Sequence, residues 1–329
     1  MNKVADETEV QLRVAWEYYV GDRNQAEIAV AHGISRATVS RILKRARANG
    51  LVKITIDVEN GLCLEVETAL RGAFALKSAH VVPSAGSEEQ VSEALGYAAA
   101  AYLARHVDEF GVIAVGWGRT ISHIARFARR ERHGSPKTSG EIVEMVGAFS
   151  ASSPQLHSLR LAANLAQRLQ MSASVLAAPA FAPDAETCQI LKNHDPIRRV
   201  LERAKEASLA IASLGTADEH STLYQSGLIS RGELDALRGQ GAVGDILGRF
   251  FDQDGAPVAS ELDDRLIGIT LDDLQRIPTV MVLAGGRVKR EAILAALRGH
   301  LVSHLVTDDE TARWILRQVA VTPAGAKES

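Results

Sequence analysis

Gly116-Trp117-Gly118-Arg119-Thr120 carries the sharpest chemical signal in this chain. The five residues follow the apolar run Gly111 to Val115 and open the helical pattern Ile121 to Arg130. The two glycines let backbone approach a ligand closely. The helix behind them presents unpaired N–H groups at the positive end of its dipole. Arg119 adds a charge and Thr120 a hydroxyl. The combination suits a phosphate or another small anion. The loop lacks the Gly-Lys-Ser/Thr ending of a nucleoside-triphosphate loop, and Ile121 stands where a dinucleotide fingerprint has its third glycine. A tight packing turn is the plainer reading of the same residues.

Three further loops have the same polar, glycine-bearing character. Ser213 to Asp218 follows the run Ser208 to Ala212 and contains Thr216. Ala284 to Lys289 follows Thr279 to Leu283, and Lys289 falls in the first turn of a helix. A cation there opposes the helix dipole, and an anionic ligand would reverse that cost. The alternative is a lysine that points to water. Gly241 to Gly255 holds Asp245, whose carboxylate suits sugar hydroxyls or a turn cap. His157, His194 and His220 lie in or near loops without metal-ligand spacing. They read as structural, so neither a metal, a cofactor nor a catalytic residue is expected.

A second chemistry sits near the front, in residues 24–53. Gln25 to Ala31 reads as a short helix that stops at Gly33, and Ser35 caps a second helix running to about Asn49. Ala29, Ile34, Val39, Ile42 and Leu43 supply the apolar spacing that holds two such helices together. From Ile34 to Lys53 the ionisable residues are all cationic, in a chain of formal net charge −3. A basic run inside an acidic protein suits phosphate contact, because neutralised phosphates release counterions. The layout is a helix-turn-helix. Gln25, Ser35, Arg36, Thr38, Ser40, Arg41, Lys44 and Arg45 are the candidate DNA contacts, near the start of a recognition helix.

The elements that position these residues follow from periodicity. A helix over Glu9 to Tyr19, with Val10, Val14, Ala15 and Tyr18 inward, precedes the motif, and Leu51 to Val58 alternates as a short strand. Residues 1–58 thus read as a winged-helix-like DNA-binding domain. Residues 59–78 read as a helical connector, with Leu64, Val66 and Leu70 available for packing. Over 79–320 short apolar runs alternate with helical patterns, which implies a doubly wound α/β domain with a mainly parallel sheet. Ligands of such sheets bind beyond the carboxyl ends of the strands. Residues 321–329 read as a frayed tail. With 329 residues, two distant cysteines, no membrane-length apolar run and no signal-type start, the composition suits a cytoplasmic protein of about two domains.

Taken in order, Gln25 to Ile54, the Gly116–Thr120 loop, Ser213 to Thr216, Gly241 to Asp252, Leu266 to Gly299 and Leu305 to Ala312 resemble the SorC/DeoR-type sugar-binding transcriptional regulators. The resemblance covers almost the whole chain. It implies a large domain that looks like sugar-phosphate isomerases and deaminases but serves as a sensor. It further implies a phosphorylated sugar or polyol as effector, operator DNA as partner, and self-association as a dimer or tetramer. On this sequence the effector's phosphate would meet Gly116, Trp117, Gly118, Arg119 and Thr120, with Thr216, Asp245 and Lys289 lining the rest. The competing expectation is a sugar-phosphate isomerase or deaminase with a DNA-binding appendage, using Asp245 or Asp218 as base.

Overall fold

The computed structural model describes residues 3–21, 23–52, 63–84, 86–130, 140–148 and 161–321. They fall into two compact units, 1–60 and 61–329. Among the described residues no helix is long and apolar enough to cross a membrane.

The first unit contains α1 (Lys3–Tyr19), α2 (Gln25–His32) and α3 (Arg36–Ala48). The start of α2 is fixed by a reciprocal cap. The Asn24 side chain accepts from the amides of Ala26 and Glu27, and the Glu27 carboxylate accepts from the Asn24 N–H at 2.9 Å. The helix stops at Gly33, whose φ of 63° is left-handed. Ser35 then caps α3, its hydroxyl accepting from the Thr38 N–H at 3.1 Å. Val14, Ala15, Ile28, Ala29, Val39, Leu43 and Ala46 form the core, with Ile34 and Ile42 packed against it. Val10, expected inward, is 43% exposed. Helical periodicity instead turns Gln11 inward beside Val14 and Ala15, and the Gln11 side-chain oxygen accepts from Asn49. Residues 53–58 of the expected strand lie outside the described residues.

The second unit begins with α4 (Leu64–Phe74), β1 (Ser78–Val82), α5 (Glu88–His106), β2 (Val112–Val115), α6 (Arg119–Phe127) and β3 (Glu141–Glu144). It continues with α7 (Leu161–Leu169), β4 (Ser172–Ser174), α8 (Ala185–Asn193), α9 (Asp195–Lys205), β5 (Leu209–Thr216), α10 (Thr222–Gln225) and α11 (Arg231–Gly239). It closes with β6 (Gly244–Ile246), β7 (Arg249–Phe251), α12 (Glu261–Arg265), α13 (Leu271–Arg276), β8 (Thr279–Leu283), α14 (Arg290–Arg298), β9 (His304–Asp308) and α15 (Asp309–Val321).

Seven strands pair in the order β1-β9-β8-β5-β2-β3-β4, all parallel. Helices cover both faces, which is why β2 is apolar throughout. Ile113, Val115 and Ile211 point to one core cluster, while Val112, Ala114, Ala210 and Ala212 point to the other. The expected connector helix, α4, belongs to the second unit, with Val66 and Leu70 buried in the larger cluster. Its Leu64 is 60% exposed.

One element was not foreseen. β6 and β7 form an antiparallel hairpin on the carboxyl-terminal end of β5. Its turn residues, Leu247 and Gly248, both lie at positive φ, 58° and 80°. That matches the twist of hairpin turns, but leucine is an uncommon occupant.

Replacing Gly33 tests the turn of the first unit. A Cβ there would meet nothing within 4 Å, so the penalty of Gly33→Ala is purely conformational. We expect about 1–2 kcal/mol of destabilisation. Hydrogen exchange of the α2 and α3 amides should accelerate on the order of tenfold, and unchanged exchange would contradict the strain argument.

Candidate functional site

From β2 the chain passes outward to β3 and β4, whereas from β5 it passes in the opposite direction to β8 and β9. β2 and β5 are neighbours, so a crevice opens where their carboxyl ends diverge. The Gly116–Thr120 loop leaves one strand there, and Ser213 to Thr216 continues the other. The Gly116 N–H donates to the Ile211 carbonyl at 2.8 Å, and the Ser213 hydroxyl donates to the Trp117 carbonyl at 3.1 Å. Gly118 has a φ of 142°, and a Cβ would come within 2.4 Å of Ser213 Oγ. Only glycine fits that approach. It is also the N-cap of α6, where no side chain caps the helix. The first-turn amides are therefore left for a ligand.

The crevice deepens into a cavity with four walls. Trp117, Gly118, Arg119 and Thr120 form one, and Ser213, Leu214, Gly215 and Thr222 another. The β6–β7 hairpin and the loop after β8 contribute Asp245, Leu247, Gly285, Val288 and Lys289. The amino-terminal half of α5 contributes Glu88, Val91, Ser92 and Leu95.

Two expected residues are not on these walls. Gly116 is buried beneath Leu247, whose Cδ2 lies 2.5 Å from where a Cβ would stand. Thr216 is buried in β5 and gives its hydroxyl to Asp218 at 2.6 Å. That hydroxyl is committed, so it does not serve the cavity. Asp218 also accepts from the His220 N–H at 2.9 Å. Burial pushes its pKa up, but the bonds from Thr216 and His220 outweigh burial and hold it below the usual aspartate value. An aspartate held in that way is a poor proton acceptor.

The charges in the cavity are poorly compensated. Asp245 is 3% exposed, and its Oδ2 accepts from the Gly248 N–H at 3.0 Å. Its carboxylate lies over Gly215, where a Cβ would stand 2.0 Å from Oδ1. Burial pushes its pKa up to about 6, against the Gly248 bond and the Lys289 charge. Burial and the nearby Arg119 push Lys289 down to about 8, while Asp245 and Glu88 oppose that shift. Among the described residues neither Lys289 nor Arg119 forms an ion pair or a side-chain hydrogen bond. Two cations beside open helix amides make a strong anion seat. Thr120, Ser92 and Thr222 offer neutral hydroxyls, and Ser92 Oγ lies 2.8 Å from Thr120 Oγ1. Among the described residues no group of three metal-type side chains comes together.

Several contributors escaped sequence reading. Glu88 and Ser92 lie one turn apart at the start of α5, which the capping box of Ser87 and Gln90 does announce. In a parallel sheet the helix after a strand starts at the ligand end, and that rule would have found them. Asp308, at the end of β9, accepts from the Ser84 hydroxyl at 2.9 Å, the Gly286 N–H at 2.7 Å and the Thr311 N–H at 3.0 Å. Burial raises its pKa, but these bonds win and keep it low. It ties the loop bearing Lys289 to the loop after β1. His194 sits at the junction of α8 and α9, and His220 is exposed. His157 lies outside the described residues.

On the first unit, α3 carries Arg36, Arg41, Lys44, Arg45 and Arg47 and no acid. Ser35, Arg36, Arg41, Lys44 and Arg45 are exposed, whereas Gln25, Thr38 and Ser40 are half-buried. Arg41, Arg45 and Thr38 line a groove between α3 and α1, floored by Gln11 and Ile42. The Ser35 hydroxyl is occupied by the cap and by Thr38 Oγ1 at 2.9 Å.

The Asp245 environment yields a pH prediction. Its folded pKa is raised, so its contribution to stability is full below about 4 and is lost as pH rises through about 6. Asp245→Asn keeps an oxygen for the Gly248 N–H and removes that loss. The ligand-free variant should gain on the order of 1–3 kcal/mol over wild type at pH 8 and nothing at pH 4. Thermal melts at the two pH values measure it, and an equal offset at both would contradict it.

Comparison with known proteins agrees with this architecture. Residues 58–317 match the family described as "Putative sugar-binding domain", and residues 11–55 match a helix-turn-helix domain family. The chain is 33% identical over 317 residues to the transcriptional regulator LsrR of Klebsiella pneumoniae, covering 94% of this chain and 93% of that one. It is 30% identical over 311 residues to the erythritol catabolism regulatory protein EryD of Brucella abortus, covering 93% and 96%. Among solved structures, the full-length sorbitol operon regulator SorC from Klebsiella pneumoniae superposes with a TM-score of 0.73 at 27% identity, covering 96% and 99%. The curated relatives are named as regulators rather than enzymes. The chain belongs to the SorC/DeoR-type sugar-binding transcriptional regulators.

Proposed function

We propose that this regulator controls an operon for use of a sugar or polyol, and that a phosphorylated form of that compound is its effector. One observation carries the reading: exposed Arg119 and half-buried Lys289, which form no ion pair among the described residues, stand beside the uncapped start of α6 at the switch point of the sheet. A phosphate supplies the charge that Lys289 lacks and accepts from the α6 amides. Asp245, with Ser92, Thr120 and Thr222, suits hydroxyls on the remainder of the ligand. EryD and SorC are named for erythritol catabolism and a sorbitol operon, which supports a polyol or sugar class.

On the output side, α3 reads base edges through Arg36 and contacts phosphates through Arg41, Lys44 and Arg45. The reading includes self-association. Paired heads then meet half-sites about 10 base pairs apart, or a multiple of that spacing. The effector acts by binding one arrangement of the assembly more tightly than another.

Two substitutions separate the input from the output. Arg36→Ala should weaken operator binding by ~1–3 kcal/mol, read by fluorescence anisotropy, and leave effector binding intact. Arg119→Ala should keep operator affinity and lose the effector's influence on it. An Arg119→Ala protein that still responds to the same sugar phosphate would remove Arg119 from the site. The pH dependence follows from Lys289. Above about 8 the ammonium loses its charge, so sugar-phosphate affinity should fall as pH rises from 7 to 9. Titration followed by intrinsic tryptophan fluorescence should show that fall in wild type but not in Lys289→Arg.

A further inference from the structure

The cavity carries more than an anion seat. Its two cations, Arg119 and Lys289, are set against two carboxylates, Asp245 and Glu88. Asp245 is on the β6–β7 hairpin and is nearly inaccessible. Glu88 is on the first turn of α5, at the exposed rim, and its charge is felt by Lys289. The walls also carry the neutral hydroxyls of Ser92, Thr120, Ser213 and Thr222.

Positive potential is concentrated where the α6 amides, Arg119 and Lys289 converge. A ligand that places its phosphate there meets these hydroxyls and the two carboxylates with the rest of its body. Hydroxyls on that end can donate to Asp245 and Glu88. A second phosphate or a carboxylate cannot donate, and it would meet like charge. We propose that the cavity selects effectors with a single anionic group on an otherwise uncharged, hydroxyl-rich body, and that Glu88 is the residue that rejects a second anionic group. The inference rests on the effector reading given above and narrows its ligand class.

Glu88 is suited to this task for two reasons. It lies on the wall and, among the described residues, makes no side-chain hydrogen bond or ion pair. The α5 capping box uses Ser87 and Gln90 instead. Its removal therefore changes the field at the rim without dismantling the helix start.

The test uses the full chain and matched pairs of probes: glucose 6-phosphate with glucose 1,6-bisphosphate, and fructose 6-phosphate with fructose 1,6-bisphosphate. Inorganic phosphate serves as a general probe of the anion seat. Affinities come from intrinsic tryptophan fluorescence and thermal shift. In wild type at least one monophosphate should bind at least tenfold more tightly than its bisphosphate. Glu88→Gln should narrow that ratio to within about threefold, mainly by improving the bisphosphate, and Glu88→Asp should restore part of it. If inorganic phosphate stabilises the protein but no monophosphate outbinds its bisphosphate, the anion seat stands and the selection is overturned. A ratio unmoved in Glu88→Gln overturns the role of Glu88. If inorganic phosphate and every sugar phosphate leave the melting temperature unchanged, the effector reading itself fails, and this proposal fails with it.

Discussion

The reversal of strand order between β2 and β5 is the constraint on which the second unit depends. Parallel neighbours whose chains leave in opposite directions cannot close over their own carboxyl ends. The gap has to be lined by loops, and close approach by those loops demands small residues. Gly118, packed on Ser213, follows directly from that geometry. So does the uncapped start of α6, because a capping side chain would occupy the space the crevice leaves open. The β6–β7 hairpin then adds a floor that a plain doubly wound sheet lacks, and it brings Asp245 to a place no helix-start residue reaches.

The lining is electrostatically unfinished. A buried carboxylate normally lies against a cation or several donors, and a buried ammonium likewise. Asp245 has one amide and the attraction of Lys289, which together do not offset its burial, while half-buried Lys289 feels the like charge of Arg119 against Asp245 and Glu88. Leu247 adds a backbone outlier next to them, at positive φ on the cavity wall. Strain and uncompensated charge in one small volume are the signature of a site kept for a ligand rather than for stability. Asp308 shows the contrast. It is equally buried, but three donors surround it, and its task is to hold two loops in place.

Much of this was legible because it depends on local chemistry. Gly33 and Ser35 announce a turn and a cap from residue type alone, and the structure shows both. Alternating apolar runs gave β1, β2, β3, β5, β8 and β9, since a strand covered on both faces must be apolar throughout. The Gly116–Thr120 loop was legible for the same reason. The illegible parts depend on pairing between distant segments. β6 and β7 are three residues each, and their turn lacks the Asn-Gly or Asp-Gly that marks a hairpin. Thr216 looked available because sequence shows the hydroxyl but not the Asp218 carboxylate that takes it. Glu88 and Ser92 are ordinary helix residues until β1 is placed beside β9 and α5 is laid across the same end.

The same uncompensated charge explains how a small ligand can drive a regulator. A ligand shifts an equilibrium only by its difference in affinity between two states. Where Arg119 and Lys289 converge on the α6 amides, an anion gains a dense set of charge-assisted bonds. Where they are parted, it gains far less. The four walls belong to α5, α6, the end of β5 with α10, and the hairpin with the loop after β8. A single ligand bound there would therefore touch elements from both sides of the strand reversal. A change of even a fraction of an ångström in their separation alters several bonds at once. On the proposed reading, that coupling of one ligand to several walls would give the differential affinity a switch requires, and a seat built on one loop alone would not supply it.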